Sequence, residues 1–182
     1  MLVRRLSIFC VLLALAAVPA AAGSDFNIIY GTKSMDDDFA PFDSQQSLMA
    51  SLTLGDDNWP VYLAVDFLLS DDDSMDGSTV FTEGSTRELA FGARKVWDHS
   101  RVRPFVGGGI TRIEGEFRRE NLIVDDAALG FWLDAGVFWR IGDSFNLGIE
   151  GRMSRAKVEI GPDGSEVEAG GESVGLLVGF GW

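Results

Sequence analysis

The chain ends Val174-Gly175-Leu176-Leu177-Val178-Gly179-Phe180-Gly181-Trp182. At a period of two, Val174, Leu176, Val178, Phe180 and Trp182 share one face. Ser173, Gly175, Gly179 and Gly181 take the other, broken only by Leu177. Because successive strand residues point to opposite sides, this stretch predicts a strand with one apolar and one small-residue face. The same alternation recurs upstream. Leu129, Phe131, Leu133, Ala135, Val137 and Trp139 oppose Gly130, Trp132, Asp134, Gly136, Phe138 and Arg140, and Val61, Leu63, Val65, Phe67 and Leu69 oppose Tyr62, Ala64, Asp66 and Leu68.

Extended along the chain, the pattern predicts eight strands: Asp25–Lys33, Ser44–Gly55, Pro60–Ser70, Thr86–Asp98, Val102–Glu116, Ala127–Ile141, Phe145–Glu159 and Glu172–Trp182. Helical periodicity is absent. The links between them alternate in length. Asp56–Trp59, His99–Arg101 and Gly142–Ser144 are tight turns, whereas Ser34–Asp43, Asp71–Ser85, Phe117–Asp126 and Ile160–Gly171 are longer and acidic. In an up-and-down arrangement all short links fall at one end and all long links at the other. That asymmetry predicts an eight-stranded antiparallel transmembrane β-barrel of an outer membrane, with short turns and both chain ends in the periplasm and long loops outside.

Alternation does not by itself say which face points inward, and a secreted lipocalin-like barrel has the same period. Such a barrel needs a solvating outer face rich in Lys and Glu. Here the second face is mostly Gly, Ala and Ser with scattered charges, which suits the filled interior of eight strands. Trp59, Trp97, Trp139 and Trp182 sit beside short turns or at the C-terminus, the placement expected of an aromatic girdle at the periplasmic boundary.

Residues 1–22 read as a cleavable signal peptide. Arg4 and Arg5 precede an apolar run, and Pro19-Ala20-Ala21-Ala22 supplies the small residues of a cleavage site. The run is about 13 residues, short of the roughly 20 that span a bilayer as a helix. Residues 23–182 are then the barrel domain. Cys10, the one cysteine of the chain, falls inside the signal, so the mature part has no disulfide. The whole chain has 15 basic and 28 acidic residues. This excess argues against nucleic acid as a partner. No cofactor motif is present.

The ending Val174–Trp182 and the stretches Val102-Arg-Pro-Phe-Val-Gly-Gly-Gly-Ile110 and Asn146-Leu-Gly-Ile-Glu-Gly-Arg152 resemble the small OmpA/OmpX-like outer-membrane barrels. The resemblance spans the mature chain. It implies that Phe180 and Trp182 are read by the barrel-assembly machinery during insertion, that outer-membrane lipid and lipopolysaccharide are its surroundings, and that the protein is a monomer. Barrel enzymes that modify lipid A would need a catalytic His at the outer rim. His99, the single His, lies in a turn assigned to the opposite rim, so no catalytic residue is expected.

Two groups remain as candidate sites. Asp66, Glu88, Arg94, Asp134, Arg140, Glu150 and Arg152 fall on the interior face and must be paired or hydrated. Arg94 and Arg152 are the expected partners of the acids. Together they are read as a structural plug, or else as a gate in a narrow ion path. In the second group Asp72, Ser74, Asp76, Gly77 and Glu83 have the spacing of a calcium loop, although the segment joins strands rather than helices. Loose bridging of lipopolysaccharide phosphates by divalent ions is the other reading of these acidic loops. The expected role is non-enzymatic, in envelope structure or loop-mediated surface contact; a narrow channel, a lipid A-modifying enzyme and a soluble binding barrel are the alternatives.

Overall fold

The computed structural model describes residues 23–35, 44–56, 58–72, 82–98, 100–119, 122–160 and 165–182. They form eight strands: β1 (Asp25–Ser34), β2 (Ser44–Leu54), β3 (Tyr62–Asp72), β4 (Thr82–Val96), β5 (Val102–Arg119), β6 (Leu122–Ile141), β7 (Phe145–Ile160) and β8 (Ser165–Gly181). Each pairs antiparallel with the next, and β1 pairs with β8 to close the barrel. Closure leaves no unpaired edge, as hydrocarbon demands of a strand protein. Followed around one circuit, the register advances by about ten residues, from Asp25 to just beyond Ser34, and this stagger tilts the strands.

The expected strand order and number are found, but two of the expected long links are not loops. β5 continues to Arg119 and β6 begins at Leu122; β7 continues to Ile160 and β8 begins at Ser165. The ladder carries on through pairs such as Phe117↔Val124 and Lys157↔Glu168. The apolar/polar alternation fades there, because it reports what surrounds a strand. Backbone pairing needs no apolar face, so a zipped hairpin extends beyond the belt that made it visible. β4 likewise starts at Thr82 instead of Thr86. β3 starts at Tyr62, after Pro60, which has no N–H to give a ladder. In the β2–β3 turn the backbone N–H and side-chain amide of Asn58 both donate to Asp56 Oδ1, at 2.9 and 2.7 Å, and hold that carboxyl below its ordinary range.

Polarity is inverted relative to a soluble barrel. Leu129, Leu176 and Ile110 are 76%, 65% and 64% exposed on the outside, whereas Asp66, Glu88 and Arg94 inside are 1%, 1% and 3% exposed. Leu63, Phe91, Phe131, Leu133, Ile149, Val174 and Phe180 belong to the same continuous outer belt. An apolar surface wrapped right around a protein is far larger than water tolerates, so the lipocalin-like arrangement does not describe this chain.

Inside, small and large residues complement one another. Trp132 is completely buried within the lumen, against Ala64 and Ala90. Its neighbouring wall is glycine because there is no room for anything else. A Cβ on Gly107 would lie 2.5 Å from Asp134 Oδ1 and 3.2 Å from Trp132 Cζ3, and one on Gly92 would lie 2.8 Å from Trp132 Cζ2. The small face seen in the sequence is therefore the counter-shape of one tryptophan and its charged neighbours.

Candidate functional site

Among the described residues the lumen holds three polar layers. At the short-turn end Arg140 donates to Asp25 Oδ1 at 2.5 Å and to Asn146 Oδ1 at 2.6 Å. Asn146 in turn donates to Asp25 at 2.9 Å and to Asn27 Oδ1 at 3.0 Å. Just inward of this layer Tyr62, Val96, Phe105 and Phe138 are buried together, with the Phe105 and Phe138 rings 6.1 Å apart. These side chains fill much of the section between the first layer and the second.

The middle layer is the densest. Arg94, on β4, hydrogen-bonds to side chains of three other strands. Nε donates to Asp134 Oδ2 at 3.1 Å, Nη1 to Ser51 Oγ and Thr53 Oγ1 at 2.8 and 2.9 Å, and Nη2 to Asp66 Oδ2 at 3.2 Å and to Asp134. A planar fork of five donors is the side chain best suited to hold several walls at once. The ring of Phe105 lies 5.3 Å from its centre. Arg152 donates to Asp66 Oδ2 at 2.8 Å and stacks 4.6 Å from the Trp132 ring centre. Asp66 thus serves two arginines. Both oxygens of Glu150 and the Nε and Nη2 of Arg152 are buried and find no partner among the described residues. Buried polar atoms are almost always paired, so this layer is the least satisfied part of the described lumen.

The third layer lies toward the long-link end. Lys33 Nζ donates to Glu88 Oε1 at 2.5 Å, Ser154 Oγ donates to the same oxygen at 3.0 Å, and Ser70 and Thr86 share a 2.5 Å hydroxyl contact beside them.

The structure therefore brings together Asp66, Arg94, Asp134 and Arg152, with Glu150 buried in the same layer. It separates Glu88, whose partner is Lys33 instead of either arginine, and Arg140, whose partner is Asp25. Neither Lys33 nor Asp25 was singled out from the sequence. Both lie on the face of β1 that carries Asn27 and Ile29, so reading β1 at period two, opposite Phe26, Ile28 and Tyr30, would have found them. Trp132 was placed on the interior face but not seen as its centre.

Trp59, Trp97, Trp139 and Trp182 are 49%, 41%, 45% and 41% exposed. Once the stagger is allowed for, they fall within about two residues' rise of a single level at the short-turn end. Phe180 lies on the outer face opposite Phe145, ring centres 5.6 Å apart and edge to face. The C-terminus is tied down, since Trp182 O accepts from the N–H groups of Gly23 and Ser24. His99 and residues 1–22 lie outside the described residues. So does the candidate calcium segment Asp72–Glu83, apart from its two ends in β3 and β4.

A closed eight-stranded barrel with charges inside and hydrocarbon outside defines the fold class of the small outer-membrane barrels. Comparison of structures bears this out: the fold is similar to Neisserial surface protein A, with a TM-score of 0.65 and 13% identity over 87% of this chain and 96% of that one. It is also similar to the N-terminal barrel domain of Pseudomonas aeruginosa OprF, with a TM-score of 0.59 and 15% identity over 87% of this chain and 97% of that one. The Ail attachment invasion locus protein of Yersinia pestis gives a TM-score of 0.59 and 11% identity over 88% of this chain and 97% of that one. At these identities the likeness is one of fold. No family model matches the chain, and no curated protein is similar to it in sequence.

Proposed function

We propose that this chain is an integral protein of a bacterial outer membrane with a non-enzymatic role, contributing to envelope structure or presenting its long-link end to the outside. The observation that carries the reading is the inversion of polarity: an apolar outer surface on a closed barrel whose lumen is crosslinked by buried ion pairs. In this reading the Trp level marks the periplasmic boundary, both termini face the periplasm, and the final Phe180 and Trp182 are offered to the assembly machinery. A monomer suffices, because closure leaves no edge to pair. Cell fractionation tests the location. The protein is expected in detergent-extracted outer membranes, migrating faster on gels unheated than boiled; a soluble periplasmic pool would overturn the proposal.

A narrow channel is the second reading, favoured by the orphaned polar atoms of Glu150 and Arg152 and opposed by the apolar layer around Phe105 and Phe138. Planar-bilayer recordings are expected to show no unitary conductance above lipid background. Steps that change in size when Arg152 is replaced by Gln would instead establish a gated path.

A further inference from the structure

Toward the long-link end of the barrel, three of the described arginines face away from the lumen. Arg87 on β4, Arg112 on β5 and Arg155 on β7 are exposed on the outward face of their strands. With the stagger allowed for, they fall within about one residue's rise of one level. That level lies about ten residues of tilted strand from the Trp level, roughly the 25 Å height of an apolar band. The belt thus has aromatic amphipaths at one rim and an arc of cations at the other.

The immediate surroundings narrow what the arc fits. Two residues toward the belt on the same strand faces lie Leu89, Ile110 and Met153, and Phe131 fills the intervening β6 opposite Arg155. Leu89, Ile110 and Phe131 are exposed, so the surface directly below the cations is apolar and continuous with the belt. Arg112 pairs with Glu114 at 3.0 Å, but both side chains are half exposed or more, and Glu114 also lies opposite Arg87 in the register. An exposed pair of this kind is weak and gives way to a stronger anion. Asp71 on β3 and Glu172 on β8 flank the arc with negative charge and confine it to β4–β7. In a chain of 28 acidic and 15 basic residues, this concentration of cations stands out from the general charge. A ligand that matches must be anionic where it meets the guanidinium forks and apolar just beneath.

We propose that Arg87, Arg112 and Arg155 form a seat for the phosphorylated disaccharide headgroup of outer-leaflet lipopolysaccharide, with its acyl chains against Leu89, Ile110 and Phe131. The inference rests on the outer-membrane reading above, with the long-link rim outward. It goes further by assigning the lipid contact to one arc of the wall.

Native mass spectrometry of the detergent-solubilised barrel with added bisphosphorylated lipid A tests it. The wild type should retain the lipid, and Arg87→Gln/Arg112→Gln/Arg155→Gln should lose about a hundredfold in affinity, the scale of three surface cations near an anionic headgroup. The matching triple Lys variant should keep most of the binding. Glu114→Gln, which removes the competing acid, should tighten it about threefold and serves as the test if the triple Gln variant does not fold. The seat is overturned if the triple Gln variant binds as the wild type does, or if Glu114→Gln weakens binding. It is also overturned if lipid A stripped of its phosphates binds equally well, if phosphatidylglycerol binds as tightly, or if millimolar inorganic phosphate displaces the lipid. Failure of lipid retention by a barrel that still shifts on heating removes the seat alone; failure to reach the outer membrane removes the reading beneath it.

Discussion

Replacing Arg94 by Met should destabilise the folded barrel by about 3–5 kcal/mol, the cost of leaving buried charges without their partner. The side chain is 3% exposed and engages Asp66, Asp134, Ser51 and Thr53 from β3, β6 and β2. Methionine preserves much of the volume but supplies no donor. Asp134 would lose its hydrogen-bonding cation, and Asp66 would be left with Arg152 alone. Denaturant unfolding of the barrel in vesicles, followed by tryptophan fluorescence, measures the loss. Adding Asp66→Asn and Asp134→Asn to the same variant should recover a good part of it, because neutral amides no longer need the guanidinium. A cost below about 1 kcal/mol for Arg94→Met would instead mean that lumen water solvates both acids nearly as well as the arginine does.

The second large effect lies on the other side of the wall. Leu176 on β8 is 65% exposed, about midway between the Trp level and the arginine arc. Leu176→Arg is expected to cost about 2–4 kcal/mol in a bilayer, the penalty for a cation at the midplane of a barrel's lipid face. The same change at Leu129, on the outward face near the arginine level, should cost about 0–1 kcal/mol. This depth dependence separates lipid from water. On a water-facing wall, exchanging an exposed leucine for arginine is neutral or improves solubility at either height. Equal effects at the two positions would sink the membrane-spanning reading.

Most of the architecture was legible because a barrel wall has two environments and a period of two. The runs Val174–Trp182 and Leu129–Arg140 sort their residues into two faces, and the small-residue composition of one face marks it as the lumen. Where both environments become polar the signal fades, and the stretches 117–126 and 160–171 read as loops although the ladder runs through most of them. Backbone hydrogen bonds are indifferent to side-chain type, so nothing in the alternation marks where pairing stops.

The lumen was legible in most of its membership, Lys33 and Asp25 excepted, and not in its pairing. Asp66, Arg94, Asp134 and Arg152 were on the interior face by parity, and they meet in one layer. Glu88 was expected to pair with Arg94 or Arg152 and pairs with Lys33 instead. Lys33 is near the end of β1, and Glu88 is in β4, three strands away across the lumen. What brings them together is the stagger of the closed sheet.

From the sequence alone came the strand count, the inward or outward sense of the wall and the sorting of Trp59, Trp97, Trp139 and Trp182 to one end, because each depends only on local alternation, on the composition of the two faces and on the order of short and long links. Tertiary structure decided which charges neutralise which, how glycines at positions 92 and 107 make room for Trp132, and that Arg87, Arg112 and Arg155 share a level. Those relations are distances between strands far apart in the chain. They follow from a register that only closure of the barrel sets.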